Sequence, residues 1–291
     1  MTSSPQAKTF DWKNLRVRLI SAFAIIPAVA LAVWLGGWTY TVLICLVGAL
    51  LAREWGRLVA PSAPIRVGLV IGISVIAVIV MAHLSRLAEL NQSPNVQWWW
   101  LATWGLVVVG SLLTTLVAFR LTAHVPDAAY GVIYIAPAGI GMVWLRDMDM
   151  GAAWSVFLFA VTWWTDIMAY IFGNIFKGPK LWPRYSPNKT WSGFFGGLVG
   201  AVLTAVVVLA ISKAVGEDFI GYPGAMLIGF LTGLATMGGD LWESMLKRRF
   251  GVKDTGGLIP GHGGVLDRVD GLMFAVMVVA AARLIQFEFF A

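Results

Sequence analysis

The sequence predicts an all-α, polytopic membrane protein of about nine transmembrane helices, with its N-terminus in the cytoplasm. Three observations predict it. Hydrophobic residues make up 59% of the 291 positions and charged residues only 12%. With a mean hydropathy of +0.80, the chain has more apolar surface than one soluble core could cover. Apolar runs of about 20 residues, the length that crosses a bilayer, recur from end to end. Basic residues gather in alternate loops, as positive-inside insertion leaves them.

Taken in order, residues 1–14 are polar, and Lys8, Lys13, Arg16 and Arg18 lead into a first apolar run over 15–35. A basic start before an apolar stretch also fits a signal peptide, with Ala28-Val29-Ala30 as its cleavage site. The run continues past that site to Leu35, so an uncut anchor is expected. Further runs fall near 38–52, 67–84, 98–119, 125–145, 152–176, 194–215, 222–246 and 271–290. The second is short and reaches full length by extending to Val59, with Arg53, Glu54 and Arg57 near the interface. Trp98, Trp99 and Trp100 read as an interfacial anchor. Gly178-Pro179 and Pro183 punctuate a loop, where a missing amide donor costs little. Cys45, the single cysteine, excludes an intrachain disulfide and a cysteine-rich metal site, and reads as packing.

With a cytoplasmic N-terminus, seventeen of the 21 Lys and Arg fall on the inner side; Arg86, Arg146, Lys213 and Arg283 fall on or toward the other. The net charge of +6 therefore belongs to loops between apolar runs. Anionic membrane lipids, and not nucleic acid, are its expected partners. The chain divides into residues 1–150, scaffold helices with lipid access or homodimer contacts as further roles, and 151–291, helices that carry a cytoplasm-facing site. No pair of matching broken helices marks an inverted-repeat transporter.

Polar residues of the second half call for an explanation. Asp166 interrupts an apolar run, where a carboxylate costs about 2.5–3.5 kcal/mol at a helix centre and needs a partner or a wet cavity. Thr162, Thr165 and Tyr170 lie about one turn away. A structural carboxylate is the competing reading there, and Asp127 reads as structural. The loop 177–193 carries Lys177, Lys180, Arg184 and Lys189, and its Ser186-Pro187-Asn188-Lys189-Thr190 is a turn signal whose groups suit a polyanion. By itself this loop equally fits a solvated basic loop beside the membrane.

Asp240, Glu243, Ser244 and Lys247 are spaced 0, +3, +4 and +7, which puts two acids, a hydroxyl and a base on one helical face. Gly238-Gly239 before them allows a backbone or ligand to approach closely. Next come Lys253-Asp254, a glycine-rich stretch through His262, and Asp267-Arg268-Val269-Asp270. Such glycines can turn amides toward phosphate oxygens. Asp267 and Asp270 share a face at an expected helix start, and with Asp240 could form a hard-oxygen site for Mg²⁺. Helix capping is the alternative for the two acids, and a loop hydrogen bond for His262.

The order Ser244-Met-Leu-Lys247-Arg248, Lys253-Asp254, Gly256, Ile259-Pro260, His262-Gly263-Gly264 and Asp267-Arg268-Val269-Asp270 resembles the signature S-x-x-K-R-x4-K-D-x-G-x2-[LI]-P-x-H-G-G-x-x-D-R-x-D. It is that of the integral-membrane phosphatidate cytidylyltransferases, or CDP-diacylglycerol synthases, and no position departs from it. Ser186 to Trp191 and the helix from Asp166 to Gly173 are similar to that family too, so the resemblance covers about residues 160–275. It implies transfer of CMP from CTP to phosphatidic acid, giving CDP-diacylglycerol and pyrophosphate, with Mg²⁺ and the help of a monovalent cation such as K⁺; the expected location is the cell inner membrane. Carried onto this sequence, it implies metal binding by Asp240 and Asp267, with Asp166, Asp254 and Asp270 as outer or alternate ligands. Asp240, Asp267, Lys247 and Asp254 become the catalytic set. Lys189, Lys247, Arg248, Lys253 and Arg268 become phosphate binders, and Ser186, Ser244 and His262 polar contacts. A phosphatidyltransferase is disfavoured because Asp270-Gly271 is followed by Leu272-Met273-Phe274-Ala275, which breaks that family's pattern. A proton- or cation-coupled transporter using Asp166 and Asp240 remains the alternative of another class.

Overall fold

A computed structural model describes residues 26–121, 124–258 and 263–290 of the chain. The expected basic start and most of the first apolar run lie outside the described residues, as does His262. Nine helices run through the described residues, one for each apolar run. They are α1 (Ile26–Leu35), α2 (Gly37–Val59), α3 (Pro64–Leu90), α4 (Val96–Ala118), α5 (Val125–Asp147), α6 (Gly151–Phe176), α7 (Trp191–Ala214), α8 (Tyr222–Arg249) and α9 (Leu266–Phe290). Seven of them, α3 to α9, are long and apolar enough to cross a membrane. At 1.5 Å per residue, 23 to 28 residues give about 35–42 Å, more than a hydrocarbon core needs. The second run does extend to Val59, so Arg53, Glu54 and Arg57 ride on its last turns.

The helix starts follow local chemistry. Pro64, Pro126 and Pro223 occupy first turns, where the missing N–H has no intrahelical role. Thr190 caps α7, its hydroxyl accepting from the Gly193 N–H at 3.2 Å.

Contacts between helix ends show that successive helices reverse direction. At one end, the start of α9 meets the end of α2, and Arg249 at the end of α8 meets Asp127 at the start of α5 at 3.0 Å. At the other end, His83 of α3 meets Asp147 of α5 at 2.8 Å, and Arg146 donates to Val33 and Trp34 carbonyls of α1. Gln286 of α9 reaches the Phe219 carbonyl in the α7–α8 connection, also at this second end. Asp127, expected to be structural, is buried and pairs with Arg249. Within the bundle, α2 to α5 pack on one another, α6 to α9 do likewise, and α5 joins the two sets by packing against α9 and α6. Trp55, Tyr40, Trp154 and Phe157 are the largest buried side chains.

The segment between α6 and α7 departs from the expected turn. It is a hairpin, β1 (Lys180–Trp182) paired antiparallel with β2 (Ser186–Thr190). The chain reverses at 183–185, where the Tyr185 N–H donates to the Trp182 carbonyl at 3.2 Å. Pro183 favours that earlier reversal, and a two-stranded hairpin leaves an open edge on which Pro187 needs no amide donor. Ser186–Thr190 is therefore a strand and not the turn.

Candidate functional site

The polar stretches meet at the end of the bundle shared by the end of α8 and the start of α9. On α8, Glu243 and Lys247 are one turn apart and pair at 2.5 Å. The Lys247 ammonium also donates to Asp267 Oδ1 at 2.9 Å, on the first turn of α9. Asp267 Oδ2 accepts from the backbone N–H groups of Gly264 at 2.9 Å and Thr255 at 3.1 Å. Asp267, in the first turn of α9, thus reaches back three residues to an amide just ahead of the helix. Among the described residues Asp267 accepts no hydrogen bond from an N–H of α9 as an N-cap would, and instead ties α8, α9 and the intervening loop together.

A residue to which the sequence alone gave no role completes this clamp. Glu54 of α2 is fully buried, at 0% exposure. Its Oε1 accepts from the Val265 N–H at 2.9 Å and its Oε2 from the Leu266 N–H at 2.8 Å, while the Thr255 hydroxyl donates to Oε2 at 3.3 Å. These amides belong to the opening turn of α9, whose N–H groups lack intrahelical acceptors and whose dipole favours an anion. A Cβ on Gly256 or Gly264 would come within 2.7 Å of a Glu54 oxygen. Two glycines of the signature therefore leave room for a carboxylate about 200 residues earlier in the chain, and their expected phosphate-cradling role is not required to explain them. An acid in the last turns of an otherwise apolar helix was the available signal.

A second group of carboxylates is left open. Asp240 pairs with Lys189 of β2 at 2.5 Å, and so turns away from Lys247 despite their common face. Asp166, exposed on α6, makes no hydrogen bond or salt bridge with another described residue, and it lies within electrostatic range of Asp240, Lys189 and Arg268. Thr162 and Thr165, its expected neighbours, donate instead to Leu158 and Val161 carbonyls of their own helix. Asp270 accepts from the Gly271 N–H at 2.8 Å and interacts with Asp240, Glu243 and Asp166. Gly239 makes this meeting possible, since a Cβ there would stand 2.5 Å from the Asp270 carbonyl. Gly238, by contrast, faces open space.

Three carboxylates from α6, α8 and α9 thus face one ammonium and one guanidinium, an excess of hard-oxygen negative charge that suits Mg²⁺. Among the described residues no three His, Cys, Asp or Glu side chains already converge as a metal-ligand set. That fits an ion that keeps waters and substrate phosphates in its shell. Of the other expected residues, Arg248 is exposed and reaches the Tyr185 carbonyl of the hairpin turn at 3.4 Å. Lys253 and Asp254 are exposed in the α8–α9 loop, and Ser186 and Ser244 are half-buried. None of these four is drawn by a side-chain hydrogen bond into either carboxylate group.

The chain matches the model of the cytidylyltransferase family over residues 16–285. Among curated proteins it is similar to the phosphatidate cytidylyltransferase of Brucella abortus, at 37% identity over 267 residues, 91% of this chain and 92% of the relative. It is also similar to that of Staphylococcus saprophyticus, at 42% identity over 152 residues, 52% of this chain and 56% of the relative.

Proposed function

The chain belongs to the cytidylyltransferase family, and from that premise we propose that it transfers CMP from CTP to phosphatidate at the cytoplasmic face of a bacterial inner membrane. An oxygen of the phosphatidate phosphate attacks the α-phosphorus of CTP, the bond from that phosphorus to the bridging oxygen breaks, and CDP-diacylglycerol and pyrophosphate result. Family membership favours this over the transport alternative. The observation that carries the reading is the group of open carboxylates, Asp166, Asp240 and Asp270, set beside Lys189 and Arg268 at a helix junction.

The nucleophile is a phosphate monoester whose second pKa is about 6, so it is largely ionised at neutral pH and needs no strong base. What the protein must do is bring together two polyanions that repel one another and align them for attack. Lys189, Arg248, Lys253 and Arg268 are the cations proposed to bind phosphate oxygens, with Ser186, Ser244 and His262 as polar contacts. Asp240, Asp166 and Asp270 would hold Mg²⁺, which when bound neutralises triphosphate charge. Asp267 would join them by exchanging Lys247 for the ion, a movement that also frees the ammonium for phosphate. Asp254 is left as an outer carboxylate, and a monovalent cation such as K⁺ as an accessory. Positive-inside counting supplies the sidedness, because the basic hairpin and the α8–α9 loop lie at the same end. Lipid access and homodimer contacts are proposed for the helices of residues 1–150.

Purified protein given CTP, Mg²⁺ and phosphatidate is expected to release pyrophosphate, with ATP, GTP and UTP as poor substitutes for CTP. No release in the presence of accessible phosphatidate, or equal release without it, would overturn the proposal.

A further inference from the structure

We propose that Glu54 is a positioning residue of the transfer reaction. Through the opening amides of α9, it sets the angle at which Asp267, Arg268 and Asp270 meet α8. The inference rests on the function proposed above.

Four observations support it. Glu54 is fully buried, yet both of its oxygens are engaged by donors from the segment that carries the second half of the signature. A buried carboxylate held by two backbone amides and a hydroxyl is a fixed strut, since each charge-assisted hydrogen bond constrains direction as well as distance. The strut acts on the first turn of α9, and Asp267, Arg268 and Asp270 follow within five residues of Val265. Displacement of that turn therefore moves all three together. Asp267 also clamps the loop through Thr255 N–H, and Thr255 is the residue whose hydroxyl meets Glu54. The two carboxylates thus grip one loop residue by its two donors, one from α2 and one from α9. Finally, Gly256 and Gly264 would each collide with Glu54 if they bore a Cβ, which couples the loop sequence to this one side chain.

The consequence is that the N-terminal helices, expected as scaffold, extend into the reacting centre. Glu54→Gln tests it, because the amide keeps the shape but presents a donor to one of two N–H groups. Gly256→Ala tests it independently by pushing the carboxylate off its amides while leaving it in place. Gly256 has no positive φ, so alanine is conformationally allowed there.

For each variant, three things would be measured on protein recovered in monodisperse form: backbone hydrogen exchange over 263–270, kcat and KM for CTP, and the Mg²⁺ concentration giving half-maximal rate. Faster exchange in that segment is expected, together with a kcat lowered and a Mg²⁺ requirement raised by roughly 10- to 100-fold, the range seen when supports of metal ligands are removed. KM for CTP should move far less. Faster exchange with wild-type kcat and Mg²⁺ dependence would overturn positioning and leave a purely structural strut. Wild-type exchange with wild-type kinetics would overturn it as well. If Glu54→Gln does not accumulate in the membrane, Gly256→Ala decides by the same readings. Failure of this inference appears as variants equal to wild type, whereas failure of the proposed function appears as wild-type protein that releases no pyrophosphate.

Discussion

The two groups of carboxylates at the α8–α9 junction differ in how their oxygens are used. Glu54, Glu243 and Asp267 are engaged by Lys247, by backbone amides of 255, 264, 265 and 266, and by the Thr255 hydroxyl. Asp240 pairs with Lys189, and Asp166, Asp240 and Asp270 lie within electrostatic range of one another, with Lys189 and Arg268 in range of Asp166. Both oxygens of Glu54 and of Asp267 accept hydrogen bonds, whereas Glu243 meets a single donor, Lys247, among the described residues. A carboxylate with both oxygens engaged can define shape but has little left to bind with until a donor is exchanged. Carboxylates that repel one another with too few cations lower the stability of the free protein and are relieved by a bound cation. Asp267 and Asp270, three residues apart in one signature, thus differ in their donors and not in their spacing.

The largest effect should follow from removing an open carboxylate. Asp240→Asn and Asp270→Asn are each expected to lower kcat by at least about 100-fold, the upper end of what even supporting residues of a metal site cost. Both variants should still insert and elute as wild type, because loss of one repelling charge does not strain the fold. Coincident loss of folding and activity would move these residues into the clamp group.

Asp267→Asn sharpens the comparison from the other side. Turnover should be lost while the protein stays folded and inserted, with excess Mg²⁺ giving little rescue and the α8–α9 loop exchanging faster. Near-normal activity across a Mg²⁺ titration would remove Asp267 from both the metal and the clamp. A smaller effect is expected of Lys189→Ala. Losing one charge-assisted contact, about 1.5–3 kcal/mol, should raise KM for CTP by roughly tenfold or more. An unchanged KM would leave Lys189 as no more than a partner for Asp240.

The smallest effect belongs to a site remote from the junction. Half-buried Lys213 and exposed Asp218 form a pair at 3.1 Å at the opposite end. Pairs of that kind contribute about 0–1 kcal/mol, so Lys213→Ala should alter neither rate nor thermal inactivation. A kinetic defect there would break the assignment of function to one end of the bundle.

Much of this arrangement is legible in the sequence. Apolar runs gave each helix, and the i, i+3, i+4, i+7 spacing put Glu243 and Lys247 in contact. Gly239 was read correctly as a place of close approach. What spacing could not supply was rotation and partner choice. Asp240 and Lys247 lie on one face, yet a hairpin from another part of the chain draws Asp240 away. That hairpin itself was hidden because Ser186-Pro187-Asn188 has the composition of a turn, while Pro183 a few residues earlier sets the reversal. Glu54 escaped because long-range capping leaves no periodic trace; its marks in the sequence are an acid near the end of an apolar run and the absence of side chains at Gly256 and Gly264.

The central claim is that Asp166, Asp240 and Asp270 form the core of the cation site, which Asp267 joins on exchanging Lys247, and that Glu54 holds it in shape. Direct binding of Mn²⁺ as a Mg²⁺ substitute, followed by electron paramagnetic resonance on purified protein with CTP present, tests this most directly. The account predicts that Asp240→Asn and Asp270→Asn abolish the bound signal, whereas Glu54→Gln weakens it without abolishing it. Undiminished Mn²⁺ binding in the first two variants would contradict it.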